Sequence, residues 1–167
     1  VFMDVFVVTG APGSGKSTSL QFLLQQESRG FVFFDGDDLF SSVNELCGGD
    51  VCHEESKWKP FRGLWLSILE LVAKNTGKTG VLFLPLDKED TEPFLEKYNF
   101  HFCLLHVDDS TRRIRLEQRN YTEDQIQEAI QDAHILKDQL QQDTVIDTTK
   151  NNPQQVARAI TNWLVDA

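Results

Sequence analysis

One nine-residue stretch near the start of the chain limits what it can fold into. Gly10 to Thr18 reads Gly-Ala-Pro-Gly-Ser-Gly-Lys-Ser-Thr. It follows the apolar run Val5–Val8 and opens a helical pattern over Ser17–Gln26. A glycine-rich turn that joins a buried strand to a helix, with Lys-Ser at its end, is typical of a loop that binds phosphate groups. The sequence therefore predicts a strand, a phosphate-binding loop and a helix, in that order.

The residue types in this loop each have a chemical reason. Glycines let backbone N–H groups approach phosphate oxygens with no Cβ in the way, and the helix that follows points its positive dipole end at the same oxygens. Lys16 can place a positive charge on the β- and γ-phosphates, the Ser17 hydroxyl can ligate Mg²⁺, and Thr18 can contact the α-phosphate. The residues predicted to bind a nucleoside triphosphate are Gly10, Ala11, Pro12, Gly13, Ser14, Gly15, Lys16, Ser17 and Thr18.

Short apolar runs alternate with helical patterns along the whole chain. The runs are Val5–Val8, Phe31–Phe34, Val81–Leu84, Phe102–Val107 and Thr144–Ile146, and the helical patterns are Ser17–Gln26, Phe61–Lys74, Glu123–Gln142 and Gln154–Leu164. Continuous apolar runs indicate strands that are buried on both faces. The alternation predicts an α/β fold with helices on both faces of a mostly parallel sheet. In such sheets the ligand lies beyond the carboxyl ends of the strands.

The composition of the chain limits the classes of partner that it is expected to bind. The 167 residues fit a single domain, and the formal net charge of −10 argues against nucleic acid, whose binding proteins carry a basic stripe. No apolar run approaches the ~18 residues that cross a bilayer, so no membrane partner is expected. Three cysteines without a framework spacing favour free thiols in a reducing compartment, and we expect a cytoplasmic protein. Nothing in the sequence specifies an oligomeric state.

A second informative segment, Asp35-Gly36-Asp37-Asp38, follows the second apolar run. Our hypothesis is that Asp35 holds a Mg²⁺-bound water, while Asp37 orients an acceptor hydroxyl and takes its proton. The alternative is that Asp37 or Asp38 caps a helix that begins at Leu39. We favour the cap for Asp38 and the catalytic role for Asp37.

A third segment is rich in arginine and follows the fourth apolar run. Either Asp109 or Ser110 can cap its helix. Three arginines are spaced three and four residues apart and therefore share one face: Arg112, Arg115 and Arg119. We expect Arg119, and with less support Arg115, to neutralise charge on a transferred phosphoryl group or to stack on a base. Arg113 is expected to lie on a solvated face beside local carboxylates.

Together these segments resemble the P-loop small-molecule kinases of the shikimate kinase, gluconate kinase and adenylate kinase type, and most closely nucleoside-kinase-like P-loop ATPases of that group. The resemblance is carried by the phosphate loop, the Asp35-Gly36-Asp37 turn, the Arg115-x-x-x-Arg119 segment and Val145-Ile146-Asp147-Thr148-Thr149. It implies a three-layer α/β/α P-loop NTPase fold with a five-stranded parallel sheet, and ATP and Mg²⁺ as cofactors. It also implies an adenine-side loop near Thr148 to Asn151, with Thr148 as a nucleotide contact.

The resemblance further implies one kinase-like domain over residues 1–167, with a lid around 119–143 and an acceptor-covering segment around 40–65. The chain departs from the pattern in two places. Residues 120–142 contain Lys137 as their only cation, so the lid brings no further arginines. The third apolar run ends without an acidic residue, unless Asp87 serves, and this leaves Ser17 and Asp35 as the predicted metal-binding residues.

The acceptor-covering segment carries three cations that can bind an anionic group: Lys57, Lys59 and Arg62. Trp58 and Trp65 can form an apolar or stacking wall beside them. The alternative is ordinary helix amphipathicity, with Trp65 in the core and the lysines in water. For Arg62 we leave both interpretations open, anion binding and ordinary amphipathicity. For Lys59 we favour ordinary amphipathicity, with the side chain in water.

The sequence thus predicts an ATP- and Mg²⁺-dependent phosphotransferase that moves the γ-phosphoryl group to a small-molecule hydroxyl or phosphate acceptor. The predicted catalytic residues are Lys16, Asp35, Asp37, Arg115 and Arg119. One alternative is a nucleotide-dependent regulatory ATPase or switch, or a nucleotide-binding protein that has lost catalysis. Another is a toxin-like kinase or a kinase that acts on nucleic-acid ends.

Overall fold

The computed structural model describes residues 2–167 and contains one five-stranded sheet. The strands are β1 (Met3–Thr9), β2 (Phe31–Asp35), β3 (Thr79–Phe83), β4 (Tyr98–His106) and β5 (Thr144–Asp147). All neighbouring pairs are parallel, in the order β2-β3-β1-β4-β5. Each of the five predicted apolar runs lies on one of these strands or at its end, because strands covered on both faces carry few polar side chains.

Within residues 2–167 there are seven α-helices, of which six lie between strands and the last follows β5. They are α1 (Lys16–Leu24), α2 (Phe40–Cys47), α3 (Glu55–Thr76), α4 (Lys88–Thr91), α5 (Asp109–Glu117), α6 (Glu123–Leu140) and α7 (Pro153–Asp166). Two 3₁₀ turns, Gly36–Leu39 and Glu92–Phe94, join β2 to α2 and α4 to β4. Within the described residues no helix is both long enough and apolar enough to cross a bilayer.

The sheet separates two apolar cores. On one face, Val5 and Val7 of β1 pack with buried residues of α3 and α6, such as Trp65 and Leu136. On the other face, Val8 packs with buried residues of α1 and α7 that include Leu20 and Ile160. Successive strand residues therefore feed opposite layers, as the two-residue period of a strand requires. The three-layer α/β/α arrangement predicted from the sequence is confirmed.

Helix α6 fills most of the segment in which a lid was predicted. Ile126, Ala129, Ala133, Leu136 and Leu140 are buried along it, and the helix packs against β4. A capping box at Thr122 and Gln125 begins the helix, so residues 118–122 are the whole connection between α5 and α6. The lid around residues 119–143 stays a prediction, and within that range residues 119–122 and 141–143 lie outside α6.

Candidate functional site

The phosphate loop lies at the carboxyl end of the central strand β1. Thr9 is fully buried there and donates its hydroxyl to the carbonyl oxygen of Leu86 at 2.7 Å, which fixes the end of the strand. Gly13 and Gly15 have φ angles of +83° and +95°, a left-handed backbone that glycine adopts without a steric penalty. Helix α1 begins at Lys16, directly after the second of these glycines.

Every carbonyl oxygen from Gly10 to Gly15 accepts a hydrogen bond. Lys16 Nζ donates to Gly10, and Arg112 Nη1 donates to both Ala11 and Pro12. Arg115 Nη1 donates to Gly13, and Thr148 Oγ1 donates to Ser14. The N–H and the Oγ of Ser19 both donate to Gly15. The Arg115 bond to Gly13 measures 2.9 Å and the Thr148 bond to Ser14 measures 2.8 Å. The loop therefore has one surface on which its carbonyl groups are held by the rest of the protein.

Most N–H groups of the loop are free by contrast, although that of Ser14 donates to the carbonyl oxygen of Ala11 at 3.2 Å. Those of Gly13, Gly15, Lys16, Ser17 and Thr18 have no acceptor within residues 2–167. Consecutive unpaired N–H groups at the start of a helix form a concave surface of positive partial charge that attracts anions. The arrangement fits phosphate oxygens, and it depends on the left-handed glycines rather than on any one side chain.

Lys16 is half-buried within this loop, and its ammonium group donates to the carbonyl oxygen of Gly10. Burial lowers the pKa of Lys16 from its ordinary value of 10.5 to about 8. The charge of Asp37 opposes this shift, while the charge of Arg112 adds to it. The ammonium form predominates at neutral pH, but its charge is poorly compensated by the protein.

Two adjoining cavities open at the loop. The first, which we call the Thr148 cavity, has a volume of about 230 Å³. Its lining residues are Gly15, Thr18, Ser19, Arg115, Arg119, Thr148, Asn151, Pro153 and Val156. The second, the Asp37 cavity, has a volume of about 150 Å³ and is lined by Pro12, Gly13, Ser14, Gly15, Lys16, Ser17, Asp37, Pro85, Arg119 and Tyr121. Gly15 and Arg119 line both cavities, so an elongated ligand can occupy the two together.

Asp35 ends strand β2 and turns the chain into the 3₁₀ segment. Its Oδ1 accepts the N–H of Asp37 at 3.0 Å, so Asp35 is the residue that caps this turn. The capping role favoured for Asp38 is therefore wrong, because the turn begins one residue after β2 and α2 begins at Phe40 without a side-chain cap. Asp35 Oδ2 accepts no hydrogen bond within the described residues, so one oxygen remains for a metal-bound water.

Asp37 lines the same cavity as Lys16 and Ser17. Part of its carboxylate remains in contact with solvent, but desolvation by the surrounding loop raises its pKa, and the charge of Asp35 raises it further. The charge of Lys16 acts in the opposite direction. A carboxylate with a raised pKa, in the same cavity as a lysine, is a group that can accept a proton from a hydroxyl group placed there.

The N-cap of helix α5 lies one residue before the first of the two predicted caps. Asp108 is its N-cap, and its Oδ1 accepts the N–H of Thr111 at 2.7 Å and the hydroxyl of Ser110 at 2.9 Å. These bonds hold the pKa of the Asp108 carboxyl at about 2. Asp109 instead contacts His134, with its Oδ2 2.9 Å from Nε2 of the imidazole. The predicted cap at Asp109 or Ser110 is therefore wrong by one or two positions.

The arginine face of α5 points to the phosphate loop. Arg112 and Arg115 donate to loop carbonyls, and Arg115 also donates to the carbonyl oxygen of Thr148 at 3.0 Å. Arg119 lines both cavities, and its side chain forms no hydrogen bond within residues 2–167. Arg113 lies on the other side and pairs with Glu123 at 2.7 Å, as the sequence predicted.

A residue with a left-handed backbone conformation follows α5 and places two neighbouring side chains at the site. Asn120 has a φ of +59°, and its N–H bonds to the carbonyl oxygen of Glu117 while the N–H of Tyr121 bonds to that of Leu116. This pair of bonds is a Schellman motif, which ends a helix sharply. It brings Arg119 and Tyr121 to the Asp37 cavity. Tyr121 was missed in the sequence, where asparagine after an arginine-rich helix was the available signal.

Thr148 closes the site from the last strand. It is 4% exposed, its N–H donates to the carbonyl oxygen of His106, and its hydroxyl donates to that of Ser14. The predicted adenine-side loop, residues 148–151, thus lies at the Thr148 cavity, where Pro153 and Val156 add apolar surface. Ser14 contributes a buried hydroxyl with no partner among the described residues.

The cations of the acceptor-covering segment are largely engaged. Lys57 pairs with Glu54 at 2.7 Å, and the buried Arg62 pairs with Asp90. Trp65 lies in the core, as the alternative reading required. Two further contacts complete the segment: Trp58 Nε1 donates to Asp90 at 2.8 Å, and Asp87 forms a capping box with Asp90 at the start of α4. Asp87 is thereby occupied in a helix cap and lines neither cavity.

The donor set at the loop fits Mg²⁺ that arrives with a nucleotide. Within residues 2–167 no group of three or more histidine, cysteine or acidic side chains is arranged to hold a metal ion. Mg²⁺ prefers oxygen ligands, keeps several waters and is commonly bound by one or two protein oxygens together with substrate phosphates. The Ser17 hydroxyl, which lies beside the free N–H groups, is an oxygen ligand of that kind. Asp35 has one free carboxylate oxygen but lines neither cavity, so it is suited to contact the metal through a water molecule.

A family model described as an AAA domain matches residues 7–137, and the chain belongs to this family. No curated protein matches the sequence significantly. Three similar solved structures show the fold. A tunicamycin resistance protein of Deinococcus radiodurans has a TM-score of 0.73 and 18% identity, and the match covers 98% of this chain and 96% of that one. A gluconokinase of Sinorhizobium meliloti has a TM-score of 0.65 and 18% identity with coverages of 99% and 93%, and a shikimate kinase of Acinetobacter baumannii in complex with shikimate has a TM-score of 0.63 and 15% identity with coverages of 99% and 94%. The fold is that of the P-loop small-molecule kinases.

Proposed function

We propose that the protein is an ATP- and Mg²⁺-dependent phosphotransferase that moves the γ-phosphoryl group of ATP to a small-molecule acceptor. One observation carries the proposal. Lys16, Ser17, Asp37 and Arg119 line a single cavity at the free N–H groups of the phosphate loop. Phosphoryl transfer needs this combination, because the protein contributes positioning, charge neutralisation and a base for the attacking hydroxyl.

Each residue then has a defined task. The N–H groups of Gly13 and of residues 15–18 bind the phosphates, and Lys16 leaves the Gly10 carbonyl to contact the β- and γ-oxygens. Ser17, and Asp35 through water, would hold Mg²⁺, which would supply charge neutralisation at the phosphates when bound. Arg119 is free to balance charge on the transferred group. Asp37 orients the acceptor hydroxyl and accepts its proton.

The Thr148 cavity would hold the nucleoside. Its apolar residues, Pro153 and Val156, and its polar residues, Thr148 and Asn151, suit a flat base with polar edges. Arg115 donates three hydrogen bonds, to the carbonyl oxygens of Gly13 and Thr148 and to the hydroxyl of Thr148, and this leaves it mainly a clamp between the loop and the end of β5. We therefore assign the direct contact with the transferred phosphoryl group to Arg119, and the support of the site to Arg115.

The acceptor is better matched by a hydroxyl than by a phosphate group. A phosphate-bearing acceptor needs free cations in addition to Lys16 and Arg119, which are assigned to the phosphates of ATP. The pairing of Lys57 with Glu54 and of Arg62 with Asp90 removes two of the three predicted ones. Lys59 is exposed on α3. Neutral hydroxyl compounds require no such cation, and a carboxylate base next to the hydroxyl is sufficient.

The test is ADP release from Mg-ATP with a panel of acceptors. The panel contains tunicamycin, gluconate and shikimate, which the names of the similar structures suggest, together with nucleosides, nucleoside monophosphates, sugars and aminoglycosides. Lys16→Ala is the blank. We expect one hydroxyl acceptor to raise ADP release above the acceptor-free rate, and Lys16→Ala to abolish the increase. ATP binding with a turnover that no acceptor changes would instead support a regulatory ATPase or a non-catalytic nucleotide-binding protein.

A further inference from the structure

Arg112 is a buried charge without a counter-ion. Its side chain is 1% exposed, and no carboxylate of residues 2–167 forms an ion pair with it. The acidic residue whose charge acts on it most, Asp109, is engaged with His134. The other buried arginine of the described chain, Arg62, pairs with Asp90. The two arginines therefore differ in how their charge is compensated.

The guanidinium of Arg112 lies on the carbonyl side of the phosphate loop. Nη1 donates to the carbonyl oxygens of Ala11, at 3.2 Å, and of Pro12. Nε is buried and has no partner among the described residues. The aliphatic part of the side chain packs against Gly13, where a Cβ would lie 3.3 Å from Cγ of Arg112. The side chain thus supports the loop from behind, while the unpaired N–H groups face the cavity.

Fold stability alone does not favour a guanidinium at this position. A buried cation costs free energy unless a charged partner and hydrogen bonds compensate it, and an apolar side chain of similar volume is often more stable. A bound nucleotide changes this balance, because its phosphates bring several negative charges to the other side of the same loop. A cation behind the loop then gains its counter-ion through the ligand.

We propose that Arg112 is a positioning residue for the phosphates: it turns the Ala11 and Pro12 carbonyl groups away from them and has the bound phosphates as its counter-ion. This inference rests on the proposed nucleotide site and adds a residue to it. The side chain touches neither the nucleotide nor the acceptor. It acts through the shape of the loop and through its charge.

Three substitutions separate these two contributions. Arg112→Lys keeps the charge and an N–H donor, Arg112→Gln keeps a donor and removes the charge, and Arg112→Met removes both. Arg113→Met is the matched control, because Arg113 lies on the same helix in an exposed pair with Glu123 and does not touch the loop. The dissociation constants of ATP and of inorganic tripolyphosphate are measured by calorimetry, and the unfolding temperature of each free protein is recorded.

We expect Arg112→Met to weaken the binding of both ligands by on the order of ten- to a hundredfold, since a hydrogen-bonded charge is lost. Arg112→Lys should recover most of the affinity and Arg112→Gln only part of it, whereas Arg113→Met should bind as the wild type does. If the role of Arg112 were purely structural, the substitutions would change the unfolding temperature, but Arg112→Lys would not bind ATP and tripolyphosphate more tightly than Arg112→Gln. Should Arg112→Met fail to fold, the Lys and Gln variants still give this ranking.

Two results overturn the inference, and they are distinguishable. If wild-type protein binds ATP and both Arg112→Lys and Arg112→Gln bind it equally well, Arg112 only fills space, and the proposed function is unaffected. If wild-type protein binds neither ATP nor tripolyphosphate, the proposed nucleotide site itself is wrong, and the role of Arg112 is lost with it.

Discussion

The hydroxyl of Thr148 donates a 2.8 Å hydrogen bond to the carbonyl oxygen of Ser14, 134 residues earlier in the chain. Through this bond the end of β5 holds the middle of the phosphate loop. Arg115 strengthens the same connection, because one guanidinium bonds to both Gly13 and Thr148. The loop is therefore supported by the last strand of the sheet as well as by its own strand and helix.

Replacing Thr148 by valine tests this support. Valine has the same shape but leaves the buried Ser14 carbonyl without its donor, so we expect a loss of about 1–3 kcal/mol in the free energy of unfolding. ATP binding should weaken as well, because the loop loses a constraint. The control is Thr161→Val, whose hydroxyl bonds to Ala157 on α7 away from the loop. Chemical denaturation and calorimetry measure the two effects, and an unchanged Thr148→Val protein would contradict the account.

Gly15 offers a test of the loop backbone. Its φ of +95° penalises any residue with a Cβ, although the nearest atom to such a Cβ lies 4.0 Å away, so the expected cost of Gly15→Ala is backbone strain of roughly 1–2 kcal/mol. Gly77→Ala is the matched control, since Gly77 has a φ of +69° at the end of α3 with open space around it. Both variants should be less stable, but only Gly15→Ala should lose ATP affinity. Equal ATP affinity in the two variants would show that the loop backbone does not bind phosphate.

The fold was predictable because its strands are covered on both faces. Such strands give continuous apolar runs, and all five runs in the sequence lie at strands of the sheet. Helix α4 and the 3₁₀ turn after it were not predicted, because four and three residues are too few to show a helical period. The caps were misplaced for a related reason: Asp108, Asp109 and Ser110 are all good capping residues, and only the backbone decides among them.

The candidate site was predictable where its residues directly follow strands of the sheet. The phosphate loop and Asp37 come together as expected because both follow parallel strands of one sheet. The burial of Arg112 was not predictable, because its partners Ala11 and Pro12 lie about a hundred residues earlier in the chain. Its position on the same helix face as Arg115 also gave no sign that the two arginines differ in burial. The ion pair between Arg62 and Asp90 could not be predicted from the sequence either, because the two residues lie on helices α3 and α4 and are 28 positions apart.

The pKa of Lys16 predicts how nucleotide affinity changes with pH. In the free protein this pKa is about 8, and bound phosphates stabilise the ammonium form, so the pKa is higher in the complex. Above about pH 8, binding must then take up a proton. The dissociation constant of ATP should rise as pH increases from about 8 to about 9.5, by up to about tenfold per pH unit.

This titration is measured in EDTA, so that metal binding does not contribute. Lys16→Arg is the control, because a guanidinium stays protonated throughout this range and its affinity should not depend on pH in the same way. An ATP affinity of the wild type that is constant from about pH 7.5 to about 9.5 would mean that Lys16 does not contact the phosphates.

Asp37→Asn tests the proposed base. The amide keeps the size of the side chain and cannot accept the proton, so acceptor-dependent kcat should fall by on the order of 10²–10⁴-fold while ATP binding changes little. Asp38→Asn is the control, because Asp38 is the neighbouring carboxylate and does not line the cavity. Since the pKa of Asp37 is raised, the wild-type rate should also decline as pH falls through that pKa, when the carboxylate becomes protonated. Near-normal turnover by Asp37→Asn would remove Asp37 from the mechanism.

The most direct test of phosphoryl transfer follows where the γ-phosphorus goes. Phosphorus NMR of a mixture of protein, Mg-ATP and the acceptor that raises ADP release distinguishes a phosphate ester from free phosphate. Our account predicts a new ester signal that grows in step with ADP, is absent with Lys16→Ala and is strongly slowed with Asp37→Asn. Free phosphate as the only product, formed at a rate that Asp37→Asn does not change, would contradict it.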